Sequence, residues 1–113
     1  MATPEIHWSG ASGQKYGYLS QKLPYSCDVG QNGNYIFAKI VNNAWVPIYI
    51  GQGDIDDRVN DPTHYKCSTG KGATHVHVHL TSNEADRITE EQDLLKGHPS
   101  AYAPTGCNEK TWG

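Results

Sequence analysis

Apolar residues fall into three short stretches set apart by turn-forming residues. "NYIFAKIV" (34–41) and "WVPIYIG" (45–51) are β-branched and aromatic. The Asn42–Asn43 pair between them tolerates the left-handed conformations a hairpin turn needs, so two antiparallel strands are predicted. Pro47 has no amide hydrogen and belongs at a strand entrance or an edge. "THVHVHLT" (74–81) alternates at period two and predicts a third strand. "DIDDRVND" predicts a short helix capped by Asp54, with Asp57 three residues on and Pro62 as its stop. "TSNEADRITEEQDLLKG" predicts a longer one, with Thr81 and Glu84 as a capping box, a loose stripe of Ala85, Ile88, Leu94 and Leu95, and Gly97 as terminator. "HYKCSTGKGA" (64–73) reads as a loop. "ASGQ" and "DVGQNGN" are turn chemistry on either side of "KYGYLSQKL", so residues 1–32 read as an irregular arm packed on a domain spanning 33–113. The expectation is an α+β fold: a small central three-stranded antiparallel sheet flanked by helices.

The length of 113 residues suits one domain with one modest core. Nine Lys and Arg against twelve Asp and Glu leave a formal charge of -3, which offers no whole-molecule attraction to a polyanion. The longest apolar runs span a few residues, and "MATPEIHWSG" has neither a basic region nor an apolar core. Neither a membrane span nor a secretion leader is therefore expected. Cys27, Cys67 and Cys107 are odd in number and form no C-x-x-C pair, which predicts reduced thiols and a cytoplasmic protein.

Singly, the polar and aromatic residues have plain readings. Tyr35 and Tyr49 are half-buried strand residues, Arg58 and Glu91 are solvated helix charges, Asn108 caps a turn, and Trp45 and Trp112 pack the arm and tail. Their order says more. A tyrosine in "GNYIF" (33–37), then "YIG" at Tyr49, Ile50 and Gly51, Arg58 in the next helix, Glu91 in "EEQDLLK", and Asn108 after Pro104 together resemble the GIY-YIG nuclease family. The likeness runs from Gly33 to Asn108. Asn34 replaces an apolar residue of the first motif, His64 stands a little further along than the family's histidine, and the segment from Glu91 to Asn108 is longer than in compact members.

That resemblance implies a three-stranded antiparallel sheet and cleavage of DNA phosphodiesters with one divalent ion, Mg²⁺ or Mn²⁺. It implies Tyr35 as general base or relay, Tyr49 as the group that positions water or phosphate, Arg58 as phosphate clamp, His64 in the proton traffic, Glu91 rather than Glu90 as metal ligand, and Asn108 as the C-terminal asparagine. The chemistry suits these residue types. Magnesium takes oxygen ligands and keeps its waters, so one carboxylate suffices. A forked, permanently charged guanidinium matches a phosphate gaining charge. A phenol serves as base only where nearby positive charge favours the phenolate. Gly51 and Gly53 let the backbone turn and approach the substrate, and Lys66 and Lys71 supply local positive charge. No zinc finger, helix-turn-helix or basic tail supplies targeting, so a second copy or a targeting protein is the expected further partner besides DNA.

Two other readings compete. His75, His77 and His79 leave one face of a strand, about 6.6 Å apart in succession, so two of them could share a metal with Cys67 or His98. Alternatively, a catalytically silent domain of the same fold binds nucleic acid or protein through the same cleft.

Overall fold

The computed structural model describes residues 6–109. Five strands form one antiparallel sheet: β1 (Ile6–Ser9), β2 (Lys15–Lys22), β3 (Asn32–Val41), β4 (Ala44–Asp54) and β5 (His75–Leu80), in the order β1-β2-β5-β3-β4. The helices are α1 (Ile55–Val59), α2 (Pro62–Gly70) and α3 (Glu84–Gly97), followed by a 3-10 turn at Pro99–Ala101. The α+β class holds, but the three-stranded sheet is overturned. β3, β4 and β5 are the expected trio with β3 at its centre, and the supposed irregular arm contributes the β1–β2 hairpin, which extends the sheet by pairing Leu19 with Val78 and Gln21 with Val76. β2 escapes a local reading because Gly17, Ser20 and Gln21 interrupt its apolar pattern and only Tyr18 is fully buried. Its partner lies more than fifty residues away.

Both faces of the sheet are covered, which is why Gly33–Ala38 of β3 is buried at every position. Trp8, Tyr18, Ile36, Ala38 and Ile50 pack with Leu94 and Leu95 of α3 on one face. Tyr35, Phe37, Ile48, Val76 and Val78 pack with Ile55 and Val59 of α1 on the other, with Tyr65 of α2 against them. The Asn42–Asn43 turn has the expected positive φ of 52° and 64°. Pro47 sits on the edge strand beside a bulge, where pairing passes from Phe37–Tyr49 to Ala38–Pro47. The outer edge of β4 is covered by the tail. The Asn108 side chain accepts from the Ile50 amide (2.8 Å) and donates to the Ile50 carbonyl (2.9 Å), while the Cys107 amide donates to the Ile48 carbonyl (2.8 Å).

The helices correct the sequence reading in three places. Residues 64–70 are helical, and Pro62 opens α2 at its first turn behind Asp61, whose carboxylate accepts from the His64 amide. The missing apolar stripe hid this helix: of its nine residues only Ser68 is fully buried. The cap of α3 is Asn83, accepting from the Asp86 amide at 3.0 Å, and not Thr81. The buried face of α3 is Arg87, Glu90, Leu94 and Leu95, whereas Ala85 is exposed and Ile88 is 43% exposed. Cys67 and Cys107 are joined in a disulfide, against the expectation of reduced thiols, and Cys27 is a free thiol. Tertiary folding brings these two cysteines together across 40 residues. No helix among the described residues is long and apolar enough to cross a membrane. Trp112 lies outside the described residues.

Candidate active site

α2 and α3 cover opposite faces of the sheet, so the edge strand β4 lies between them, and a cleft of 550 Å³ opens over that edge. Its walls carry Tyr49 from β4, His64 and Cys67 from α2, Glu91 from α3, and Cys107 and Asn108 from the tail. Four residues expected to act together from distant points in the sequence thus line one cavity. An adjoining cavity of 370 Å³ shares His64 and holds Arg58 among Asp56, Asp57 and Asp61.

Each side chain has a local cause for its place. Tyr35 pairs with Gly51 across β3 and β4, and the hydroxyl end of its ring lies over that glycine: a Cβ there would fall 2.5 Å from the Tyr35 hydroxyl oxygen. Gly53 has φ +135°, and a Cβ on it would come within 2.9 Å of Arg58 Nε, so the arginine folds back over the strand end. Both glycines make room for a side chain, Tyr35 at Gly51 and Arg58 at Gly53, where the sequence reading gave them the substrate.

His64 stacks on Tyr49, with ring centroids 4.5 Å apart and Nε2 3.3 Å from the Tyr49 hydroxyl. Its Nδ1 lies 3.1 Å from the Asp61 carboxylate but off the hydrogen-bonding direction, so this contact attracts only when the ring is charged. The Tyr35 and Tyr49 rings are 6.0 Å apart.

Electrostatics tie the cleft together. Burial pushes the Glu91 carboxyl above the usual carboxylate range, opposed by the Arg58 charge, and Glu91 hydrogen-bonds no other described residue. Burial also drives Tyr35 well above the usual phenol range, reinforced by Tyr49 and opposed by Arg58. Tyr49 is raised by burial as well, with the Tyr35 hydroxyl pulling it back. Desolvation therefore holds the proton on Tyr35, and Arg58 is the positive group working against it. A lone desolvated carboxylate facing an open cleft fits the oxygen preference of Mg²⁺.

The other assignments separate. Asn108 lies in the wall, but both ends of its amide are taken by Ile50, which makes it the tether of the tail. Lys66 is exposed on α2, whereas Lys71 donates to the Pro104 carbonyl at 2.7 Å. Neither lysine lines the cleft. Asp61 was missed, and its signal was the Asp-Pro pair that opens α2.

The histidine strand is committed elsewhere. His77 is fully buried, accepts from Trp8 Nε1 at 2.9 Å and sits edge-on to Trp45 at 4.5 Å. His79 pairs with Glu90 at 3.0 Å, and His75 contacts the Thr74 hydroxyl at 2.8 Å. Among the described residues no group of three His, Cys, Asp or Glu side chains is arranged to hold a metal.

No family model, no curated protein and no solved structure matches the chain.

Proposed function

We propose that this protein is a metal-dependent endonuclease of GIY-YIG type that hydrolyses DNA phosphodiesters in the cleft over the β4 edge. The observation that carries the reading is Glu91: a desolvated carboxylate without a hydrogen-bond partner among the described residues, in the field of Arg58 and in one cavity with Tyr49 and His64. Glu91 would hold Mg²⁺ or Mn²⁺, which when bound supplies charge neutralisation at the phosphate. Arg58, exposed and folded over Gly53, meets the phosphate oxygens with its planar fork. The Tyr49 hydroxyl, in the cleft wall, orients the attacking water, and His64 Nε2, 3.3 Å from that hydroxyl, takes the proton. Tyr35, expected as base or relay, is buried behind Tyr49 and lines neither cavity, so its part is to position Tyr49. The cytoplasm is the proposed location on the strength of the DNA substrate alone, because the Cys67–Cys107 disulfide removes the reduced-thiol argument for it.

The second reading, a silent binding domain, is supported by the acids Asp56, Asp57 and Asp61 around Arg58 and by the engagement of Lys71. Efficient cutting on our reading needs DNA whose structure opens onto the cleft, or a second copy or targeting protein that adds positive surface. Incubation of the purified chain with supercoiled, linear and branched DNA, with and without Mg²⁺, decides between them. Mg²⁺-dependent nicking that disappears in Glu91→Gln supports the nuclease. DNA binding without any cleavage, the same in wild type and variant, supports the silent domain.

A further inference from the structure

The disulfide Cys67–Cys107 joins two parts of the cleft wall, α2 and the tail, and those parts are held very unequally. The tail is bound to β4 without it. Cys107 and Asn108 donate backbone hydrogen bonds to Ile48 and Ala101, the Asn108 amide brackets Ile50, and Gly106 packs so closely that a Cβ would sit 2.6 Å from the Ile48 carbonyl oxygen. α2 has no such anchorage. Ser68 is its single fully buried residue, and that buried hydroxyl has no hydrogen-bond partner. What holds α2 against the sheet is Tyr65 on Phe37 (6.4 Å), His64 on Tyr49, the Lys39 ammonium of β3 donating to the Lys71 carbonyl at the helix end (3.2 Å), the Lys71–Pro104 contact, and the covalent bond at Cys67, one turn beyond His64. Both cysteines are part-exposed at the cavity surface, within reach of a thiol reagent.

We propose that Cys67–Cys107 is a thiol-controlled clamp on α2: closed, it holds His64 against Tyr49, and opened by a dithiol it frees the helix and takes the cleft apart. In the opening step a thiolate of the dithiol attacks one of the two sulfurs and breaks the S–S bond, giving a mixed disulfide. The second thiol of the reductant then displaces the remaining cysteine. Two electrons and two protons pass to Cys67 and Cys107, and the dithiol leaves as its own disulfide. The protein side of the clamp does not depend on DNA cleavage; the loss of activity it would cause rests on the endonuclease reading.

The test compares the full chain, oxidised and reduced with excess dithiothreitol, under native conditions. Thiol alkylation followed by mass measurement counts one reactive cysteine in the first state and three in the second. Amide hydrogen exchange then reports each element separately. The expected result is exchange in 62–70 faster by about tenfold or more on reduction, with β3, β5 and α3 unchanged, because regions with few buried contacts open first. The Cys67→Ser/Cys107→Ser double variant should match the reduced state with or without reductant. Unchanged exchange in 62–70 after confirmed reduction overturns the proposal. So does a uniform loss of protection, which would make the bond a general stabiliser, and so does a disulfide that excess dithiothreitol leaves intact. If the helix loosens but Mg²⁺-dependent nicking is absent in both states, the clamp stands and the endonuclease reading falls.

Discussion

Glu90 and Glu91 are neighbours on α3, yet they belong to two polar regions built on opposite principles. Glu90 is 4% exposed and paired through one oxygen: its Oε2 accepts the Tyr18 hydroxyl at 2.5 Å and meets His79 at 3.0 Å, beside the Trp8–His77 hydrogen bond. Glu91, about a third of a turn further round the helix, faces the cleft, and its charge is met only at a distance by Arg58. A buried polar group that is fully hydrogen-bonded stabilises a fold and fixes its register. One left desolvated and unpaired costs stability and stays available to a ligand. The difference separates a hydrogen-bonded acid from one left open to a ligand without recourse to residue type.

The largest effect expected from this contrast is at Glu91. Glu91→Gln should reduce Mg²⁺-dependent cleavage on the order of a thousandfold, about 4 kcal/mol of barrier. The denaturation midpoint should hold or rise. A carboxyl raised by burial favours the fold only below its unfolded value and loses that contribution as pH climbs through the folded one, so at pH 7 the ionised group is a cost that the amide removes. A fall in the midpoint together with activity would place Glu91 among the structural acids.

The histidine strand tests the buried region by pH. Burial holds His77 down to about 4, so between 6.5 and about 4 the unfolded chain takes up a proton that the folded chain refuses, and about 3 kcal/mol of stability is lost as pH falls through that window. His79 carries the opposite sign. Its bond to Glu90 raises it, so its contribution is complete below 6.5 and disappears as pH rises through the raised value. An NMR titration should show His77 still neutral at pH 5 while His79 titrates late. Titration of His77 near 6.5 would mean that it is not enclosed by the two tryptophans.

Arg58→Lys keeps the charge and loses the fork, and single-turnover cleavage should fall about a hundredfold. DNA affinity should change much less. Equal losses in both would reduce Arg58 to a general attractor of phosphate.

Glu90→Gln should leave the chemistry alone and cost about 2 kcal/mol, the scale of hydrogen bonds to a charged acceptor. The stability effect follows from the bonds to Tyr18 and His79 and is measurable by urea denaturation. A variant as stable as wild type would break the contrast between the two glutamates.

The smallest effect concerns the lysines. With a net charge of -3, the salt dependence of duplex binding should be shallow, reporting about two to four phosphate contacts. Lys66→Gln should lower the slope by about 0.9, one contact. Lys71→Gln should not change it, because that ammonium group is bonded to Pro104. An anisotropy titration at several salt concentrations reads both.

What the sequence determined by itself is whatever neighbours along the chain decide. The Asn42–Asn43 hairpin, the alternation of His75–Leu80 and the Asp54 cap of α1 each follow from residues within a few positions, where backbone preference and capping chemistry act. That Tyr49, His64 and Glu91 belong together was legible too, as an ordered set of positions with no geometry, and the fold brings those three into one cleft. Tertiary structure decided the rest. β2 becomes a strand because β5 offers it a partner, not through its own pattern. α2 holds its place without an apolar stripe, by way of a disulfide that joins residues 40 apart. The buried stripe of α3 includes Arg87 and Glu90, which a hydropathy reading sends to solvent and which Gln52, Tyr18 and His79 hold inside by hydrogen bonds. The physical reason is common to all three: desolvation and long-range pairing depend on what lies opposite in space, and a one-dimensional pattern carries the groups but not the partners that make their burial favourable.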